Sequence, residues 1–342
     1  MAGRRYNALW QQTMLRIKDP KVSVPFYEKN FNMKLVHEYH FPQWKFSLYF
    51  MERVRDGVTV PTPGTKESEA YLWNMTGTTL ELTHNHGSEE DPNFKVWSGN
   101  HGCDLPKDSP LYKEGAVRGF GHIAFNMPDI VASSEALEKQ GVKFQKRPHE
   151  GRMKTIAFAL DPDGYWIELV PRGDALPETE NLSQTMLRVK DADASIAFYR
   201  DILGMTLVRA MHVPGDFSNY FLASLTPEQR EKAPDPESPE ARDFVSSLWT
   251  PVLELTHNHG TEKDESFQIH TGNSDPVGFG HIGYLVDDLV ACCKEMEEAG
   301  VKFHKKPEDG AMHQLAFALD PTGYRIELVQ RGASMAGVCS NF

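Results

Sequence analysis

Leu80-Glu81-Leu82-Thr83-His84-Asn85-His86-Gly87 recurs unchanged as Leu253-Glu254-Leu255-Thr256-His257-Asn258-His259-Gly260, 173 positions on (80 to 253). Working outward, Gln12-Thr13-Met14-Leu15-Arg16 returns as Gln184-Thr185-Met186-Leu187-Arg188. Gly119-Phe120-Gly121-His122-Ile123 returns as Gly278-Phe279-Gly280-His281-Ile282, and Ile167-Glu168-Leu169-Val170 as Ile326-Glu327-Leu328-Val329. Long identities at a fixed period are the mark of a tandem duplication. The later segments repeat after only 159 positions (122 to 281), so the first half carries extra residues between its two blocks. They fall at 102–113, a stretch with Pro and Lys that reads as a surface loop. The join lies at 173–182, around Pro177 and several acidic residues, and divides the chain into 1–176 and 177–342.

Each half divides again. Alternating apolar and polar residues predict strands at 13–17, 46–52, 69–74 and 79–83, with a helix at 22–30. The next block reads as a strand at 122–126, a helix at 131–140 and strands at 155–160 and 166–170. The expected class is α+β: four βαβββ-like modules in two tandem domains.

The whole chain has 342 residues, 40% of them apolar and 25% charged, which is ordinary globular usage and excludes disorder as the dominant state. Its 36 basic and 48 acidic residues leave a net charge of −12. Binding to nucleic acid by counterion release needs a basic face, so that class is not expected. No run of about 18 apolar residues is present, so no membrane partner is expected either. Cys103, Cys292, Cys293 and Cys339 show no C-x-x-C spacing and are too few to staple a chain of this size, which points to the cytoplasm. Arg4 and Arg5 precede no apolar run, so no export signal is expected. Cys339 stands at a prenylation position, but Ser340 and Asn341 are not aliphatic, and a frayed tail is the plainer expectation.

Strand alternation sorts side chains by face. Gln12, Met14 and Arg16 share one face, as do Glu81, Thr83 and Asn85, and likewise His122, Ala124 and Asn126. Glu168 stands between apolar neighbours. An ionisable group in such a setting is costly to bury without a partner. Gln12, Glu81, His122 and Glu168, repeated as Gln184, Glu254, His281 and Glu327, supply an amide, two carboxylates and an imidazole. That donor set suits a divalent cation and offers no thiolate to soft metals. Any one of these residues could be a hydrogen-bonded core residue instead; two complete sets in register favour the metal.

Those motifs, with the twice-occurring Asp-Pro-x-Gly-Tyr-x-Ile-Glu, resemble the eukaryotic glyoxalase I (lactoylglutathione lyase) family of the vicinal-oxygen-chelate superfamily, in its fused two-copy form. The resemblance covers residues 10–172 and 182–331. It implies sites shared between the halves: Gln12 and Glu81 with His281 and Glu327, and Gln184 and Glu254 with His122 and Glu168. It implies zinc, two ions per chain, since bacterial nickel-type relatives carry His where Gln12 and Gln184 stand. The implied reaction turns the hemithioacetal of methylglyoxal and glutathione into S-D-lactoylglutathione through a zinc-stabilised enediolate. Glu168 and Glu327 would be the principal bases, with Glu81 and Glu254 serving the opposite stereoisomer.

The same resemblance assigns glutathione contacts to Arg16, Asn85, Arg188 and Asn258, and to Arg118, Lys146, Met153, Lys305 and Met312. Val277 stands where Arg118 stands in the first half, so the site built with His281 is expected to bind glutathione more weakly. A monomer with two internal interface sites is expected. Two other classes share the resemblance, a ligand-sequestering protein without metal and another metal enzyme such as an epimerase. His84-Asn85-His86 superficially matches a nuclease motif, but His84 falls on the face opposite Glu81. Cys292-Cys293 reads as packing in a helix.

Overall fold

The computed structural model describes residues 7–100, 118–172 and 180–341. The expected extra loop at 102–113, Cys103 and most of the join lie outside the described residues.

Four modules follow one another, each a strand, a helix and three more strands. The first contains β1 (Leu9–Ile17), α1 (Pro20–Phe31), β2 (Lys34–Phe41), β3 (Phe46–Glu52), α2 (Lys66–Leu72) and β4 (Thr79–Asn85). The second contains β5 (Phe120–Met127), α3 (Ile130–Lys139), β6 (Lys143–Lys146), β7 (Ala157–Leu160) and β8 (Trp166–Pro171). The third contains β9 (Asn181–Val189), α4 (Ala192–Ala197), β10 (Thr206–Val213), β11 (Phe217–Ala223), α5 (Pro227–Lys232), α6 (Glu240–Ser247) and β12 (Val252–Asn258). The last contains β13 (Phe279–Val286), α7 (Leu289–Glu298), β14 (Phe303–Lys305), β15 (Leu315–Leu319) and β16 (Arg325–Gln330).

One device turns strand into helix in all four. Asp19, Asp129, Asp191 and Asp288 are N-caps whose carboxylates accept from N–H groups of the first helical turn. Those donors have no partner within the helix, so each cap stabilises its turn by about 1 kcal/mol.

The strands form two eight-stranded sheets, ordered β14-β15-β16-β13-β1-β4-β3-β2 and β10-β11-β12-β9-β5-β8-β7-β6. Each sheet therefore joins one module from each half of the chain. The junctions are the antiparallel pairs β1 with β13 and β9 with β5. Equivalent residues meet near the middle: Thr13 and Thr185 share a hydrogen bond of 2.7 Å, and the Phe120 and Phe279 rings stack at 5.2 Å. The halves are thus related by an internal pseudo-twofold. One apolar cluster, including Leu15, Phe31, Ile123, Leu187, Ile282 and Ile326, draws on all four modules and fixes the two sheets together.

Three expectations need correction. Residues 69–74 are not a strand: Thr65 and Ser68 form a reciprocal capping box that starts α2, and tertiary packing overrides the local pattern. Strands β2 and β6, absent from the sequence-based list, complete the modules at their edges. The C-terminal tail is not frayed. Met335 and Cys339 are buried in a cluster with Tyr39, Phe50 and Trp73, and Asn341 bridges the backbone of Glu38 and His40. Cys292 and Cys293 do pack in α7, as their setting suggested.

Candidate metal centres

Sheet register brings distant residues to one point. On β1, Met14 pairs with Glu81 of β4 on one side and with His281 of β13 on the other; Gly283 of β13 pairs with both Gln12 and Glu327. Gln12, Glu81, His281 and Glu327 consequently converge on the concave face of one sheet. Gly283 packs closely there, since an added Cβ would lie 2.6 Å from Gln12 Cγ unless that side chain shifted; Ala124 holds the equivalent place in the other sheet. In the other sheet β9 brings Gln184 against His122, Glu168 and Glu254 in the same manner.

The donor atoms point at one another. Gln12 Nε2 lies 2.6 Å from Glu81 Oε2, 2.5 Å from Glu327 Oε2 and 3.0 Å from His281 Nε2. His281 Nε2 is 3.2 Å from both carboxylates. In the second cluster Gln184 Nε2 lies 2.5 Å from Glu168 Oε2, 2.9 Å from Glu254 Oε2 and 3.3 Å from His122 Nε2. His122 Nε2 is 3.1 Å from Glu168 and 3.4 Å from Glu254. All eight side chains are buried.

Two buried carboxylates facing each other cost far more than they return unless a positive charge lies between them. Burial pulls the His281 and His122 pKa values down, but the flanking glutamates outweigh it and push both up to about 9. A divalent cation held between these carboxylates replaces that proton. The amide agrees with this. Gln12 Oε1 is buried without a partner while its Nε2 crowds three other donor atoms. The oxygen and nitrogen sit on the same terminal carbon, so a half-turn about the last side-chain bond aims the oxygen at the centre. The residues fit a metal: Glu81, His281 and Glu327 form one group, and His122, Glu168 and Glu254 a second, with ligand atoms within 4.8 Å in each.

The first cluster opens into a cavity of about 500 Å³. Further along the strands from the ligand row, Arg16, Asn85 and Arg325, with Asn273 bonded to Arg16, form its polar end. Arg16 is committed in part: it donates to the carbonyls of Gly272, Gly278 and Phe279 and to Asn273 Oδ1. Burial lowers its pKa. Arg188 repeats this with Gly119, Phe120 and Asn100. Lys305 and Met312 line the first cavity, and Lys305 Nζ is held by the carbonyls of Met312 and Leu315. Lys146 makes the matching bonds to Met153 and Ile156, where Met153 is exposed. Asn258 lies half-buried at the end of β12, and Arg118 is exposed; burial first, and then the nearby Arg118 charge, lowers the Arg188 pKa. His84 faces away from the ligands and pairs with Glu89.

Sequence reasoning missed Asn273, Arg325 and the apolar wall of Tyr39, Phe50, Trp73 and Met335. Arg325 was legible, since it precedes Glu327 by two on β16. The wall was not: Phe50 lies on β3, within the strand expected at 46–52, but Tyr39, Trp73 and Met335 come from β2, the end of α2 and the tail, which were misread or unread.

A sequence model of the Glyoxalase/Bleomycin resistance protein/Dioxygenase superfamily matches residues 10–169 and 181–328. The chain belongs to that superfamily. Within the superfamily it is 42% identical to a Saccharomyces cerevisiae protein named Glyoxalase I, over 95% of this chain and 93% of the relative. It is 38% identical to the Schizosaccharomyces pombe lactoylglutathione lyase, over 93% and 95%. Among solved structures, glyoxalase I from Zea mays superposes with a TM-score of 0.65 at 25% identity, covering 97% of this chain and 95% of that one.

Proposed function

We propose that this superfamily member is a glutathione-dependent isomerase acting on the hemithioacetal of methylglyoxal and glutathione, with S-D-lactoylglutathione as product and zinc as the ion at both centres. The observation that carries the reading is the pair of buried Gln/Glu/His/Glu clusters in a chain that is 42% identical, end to end, to a glyoxalase I. The donor set supports chemistry without oxygen: each cluster has one imidazole, where ferrous oxygenases favour two with one carboxylate.

Gln12, Glu81, His281 and Glu327 would hold one ion, and Gln184, Glu254, His122 and Glu168 the other. When bound, the ion supplies Lewis-acid stabilisation of the negative charge that develops on the substrate oxygens. Glu327 and Glu168 take the carbon-bound proton and return it to the adjacent carbon, which needs a carboxylate within hydrogen-bond reach of both. Glu81 and Glu254 lie across each cluster and meet the opposite stereoisomer. Arg16, Asn85, Lys305 and Met312 receive the glutathione moiety at the first centre, and Arg188, Asn258, Arg118, Lys146 and Met153 at the second. The repeats 1–176 and 177–342 thus share both sites, and one chain carries all the residues required.

The test is glutathione-dependent loss of the hemithioacetal, before and after dialysis against a chelator. Activity lost with the metal and restored by zinc supports the proposal. Full turnover by protein with far less than one ion per chain refutes it.

A further inference from the structure

The two centres are not equally furnished beyond their ligands. Phe50 of β3 stands opposite Glu81, and Phe221 of β11 stands opposite Glu254. The Phe50 ring meets Tyr39 and Trp73 edge-on at 6.2 and 5.6 Å. The Phe221 ring instead lies under the Arg209 guanidinium at 5.3 Å. Two residues along, on the same face, Leu48 pairs with Thr83, whereas Asn219 pairs with the equivalent Thr256 and donates to Glu254 Oε1 at 2.6 Å. Opposite these, β2 offers Tyr39 where β10 offers Met211.

The first cavity is also closed by the segment that follows the last strand, β16. Met335 lines it and is buried. The tail is held there by the buried Glu69 carboxylate, which accepts from Tyr39 Oη at 2.6 Å, Met335 N at 2.7 Å and Ser334 Oγ at 2.9 Å. Trp73 Nε1 completes the network by donating to Tyr39 Oη at 2.7 Å. Leu315, Val329 and Met335 thus form an apolar end, on the far side of the ligand row from Arg16 and Arg325.

We infer that the two centres divide 2-oxoaldehydes by side chain, the Gln12 centre taking adducts with bulky apolar or aromatic substituents and the Gln184 centre taking small or polar ones. This rests on the isomerase reading above. An aromatic substituent buries its ring against Phe50, Trp73 and Met335 at the first centre. At the second it meets the Arg209 guanidinium, which would lose water without gaining a partner, beside the polar Asn219 where the first centre offers Leu48.

The experiment uses the full chain with one centre disabled. Glu168→Gln leaves the Gln12 centre working, and Glu327→Gln leaves the Gln184 centre. Each is assayed with the glutathione adducts of phenylglyoxal and of methylglyoxal. The ratio of kcat/KM for the phenyl over the methyl adduct should be about tenfold or more higher in Glu168→Gln, in line with what a few buried carbons contribute to discrimination. Adding Met335→Trp to Glu168→Gln fills the apolar end, and that ratio should fall by a similar factor. Equal ratios in the two single variants, or a higher one in Glu327→Gln, overturn the inference while leaving the isomerase reading intact. Absence of methylglyoxal turnover in both overturns the isomerase reading and this inference with it.

Discussion

The ligand rows of the two centres match residue for residue, while the strands flanking them have drifted apart. Gln12 and Gln184 sit on β1 and β9, which are paired on both sides. Register on such a strand is locked from two directions, and a one-residue slip would turn every ligand to the wrong face. Strands β2 and β10 lie at sheet edges, with a neighbour on one side only. There Tyr39 and Met211, or His37 and Arg209, occupy equivalent places. Duplication has preserved what the sheet centre constrains and has varied what the edge leaves free.

The strongest way to break this comparison is to remove the base from each centre. Glu168→Gln combined with Glu327→Gln should lower turnover by about 100-fold or more, the usual share of a positioned acid–base group. The fold should persist, because the amide keeps the shape of the carboxyl. Each single variant should retain the turnover of its intact partner, so the two residual activities sum to the parent's. A single substitution that silences the whole chain would mean that the centres do not work separately. Steady-state rates and circular dichroism on three variants decide it.

A smaller effect concerns the entrance. Arg118 flanks the Gln184 centre, and Val277 holds the equivalent place at the other. Arg118 is exposed, so solvent screens its pull on a glutathione carboxylate. In the Glu327→Gln background, Arg118→Val should raise the KM for the methylglyoxal adduct by about two- to fivefold with little change in kcat. Val277→Arg in the Glu168→Gln background should lower it. A change in kcat alone would place these positions in the chemistry and not in binding.

The sequence showed the duplication, the four modules and both ligand sets because these rest on exact repeats and on period-2 alternation in central strands. Glu81, Thr83 and Asn85 lie on one face of β4 as alternation requires, and all three line the first cavity. What alternation could not show was the wall. Tyr39 and Trp73 come from an edge strand and from the residue after a short helix, and Met335 from the segment after the last strand. Their meeting depends on Glu69, a charged residue whose burial is tolerated only because three donors from distant segments converge on it. No local pattern encodes such a convergence. The Arg16 and Arg188 guanidinium groups teach a related lesson. Their type suggested anion capture, yet much of each fork is spent on backbone carbonyls of the segment that closes the site.

The smallest predicted difference lies behind the sheets. Asp161 accepts from Tyr27 Oη at 2.9 Å, and Asp320 accepts from Tyr199 Oη at 2.9 Å. Burial raises the pKa of both, Asp320 to about 6 and Asp161 further, to about 7, because Asp163 adds its negative charge. Thr322 stands where Asp163 stands in the first half. An aspartate whose folded pKa is raised holds its proton more tightly in the native state. Its unfolded counterpart ionises near pH 4, so from there up to the folded pKa the protein loses stability with each step in pH. For Asp320 that loss ends near pH 6, and for Asp161 it continues to about pH 7. Asp163→Thr should therefore flatten the dependence of Tm on pH between about 6 and 7. Absolute stability should fall, because Asp163 also accepts from Lys18 N and Ser23 Oγ. The slope is what distinguishes the halves: scanning calorimetry from pH 4 to 8 should show the variant levelling off near the pH where Asp320 does. An unchanged slope above pH 6 would mean that Asp163 does not set the difference between the two buried carboxyls.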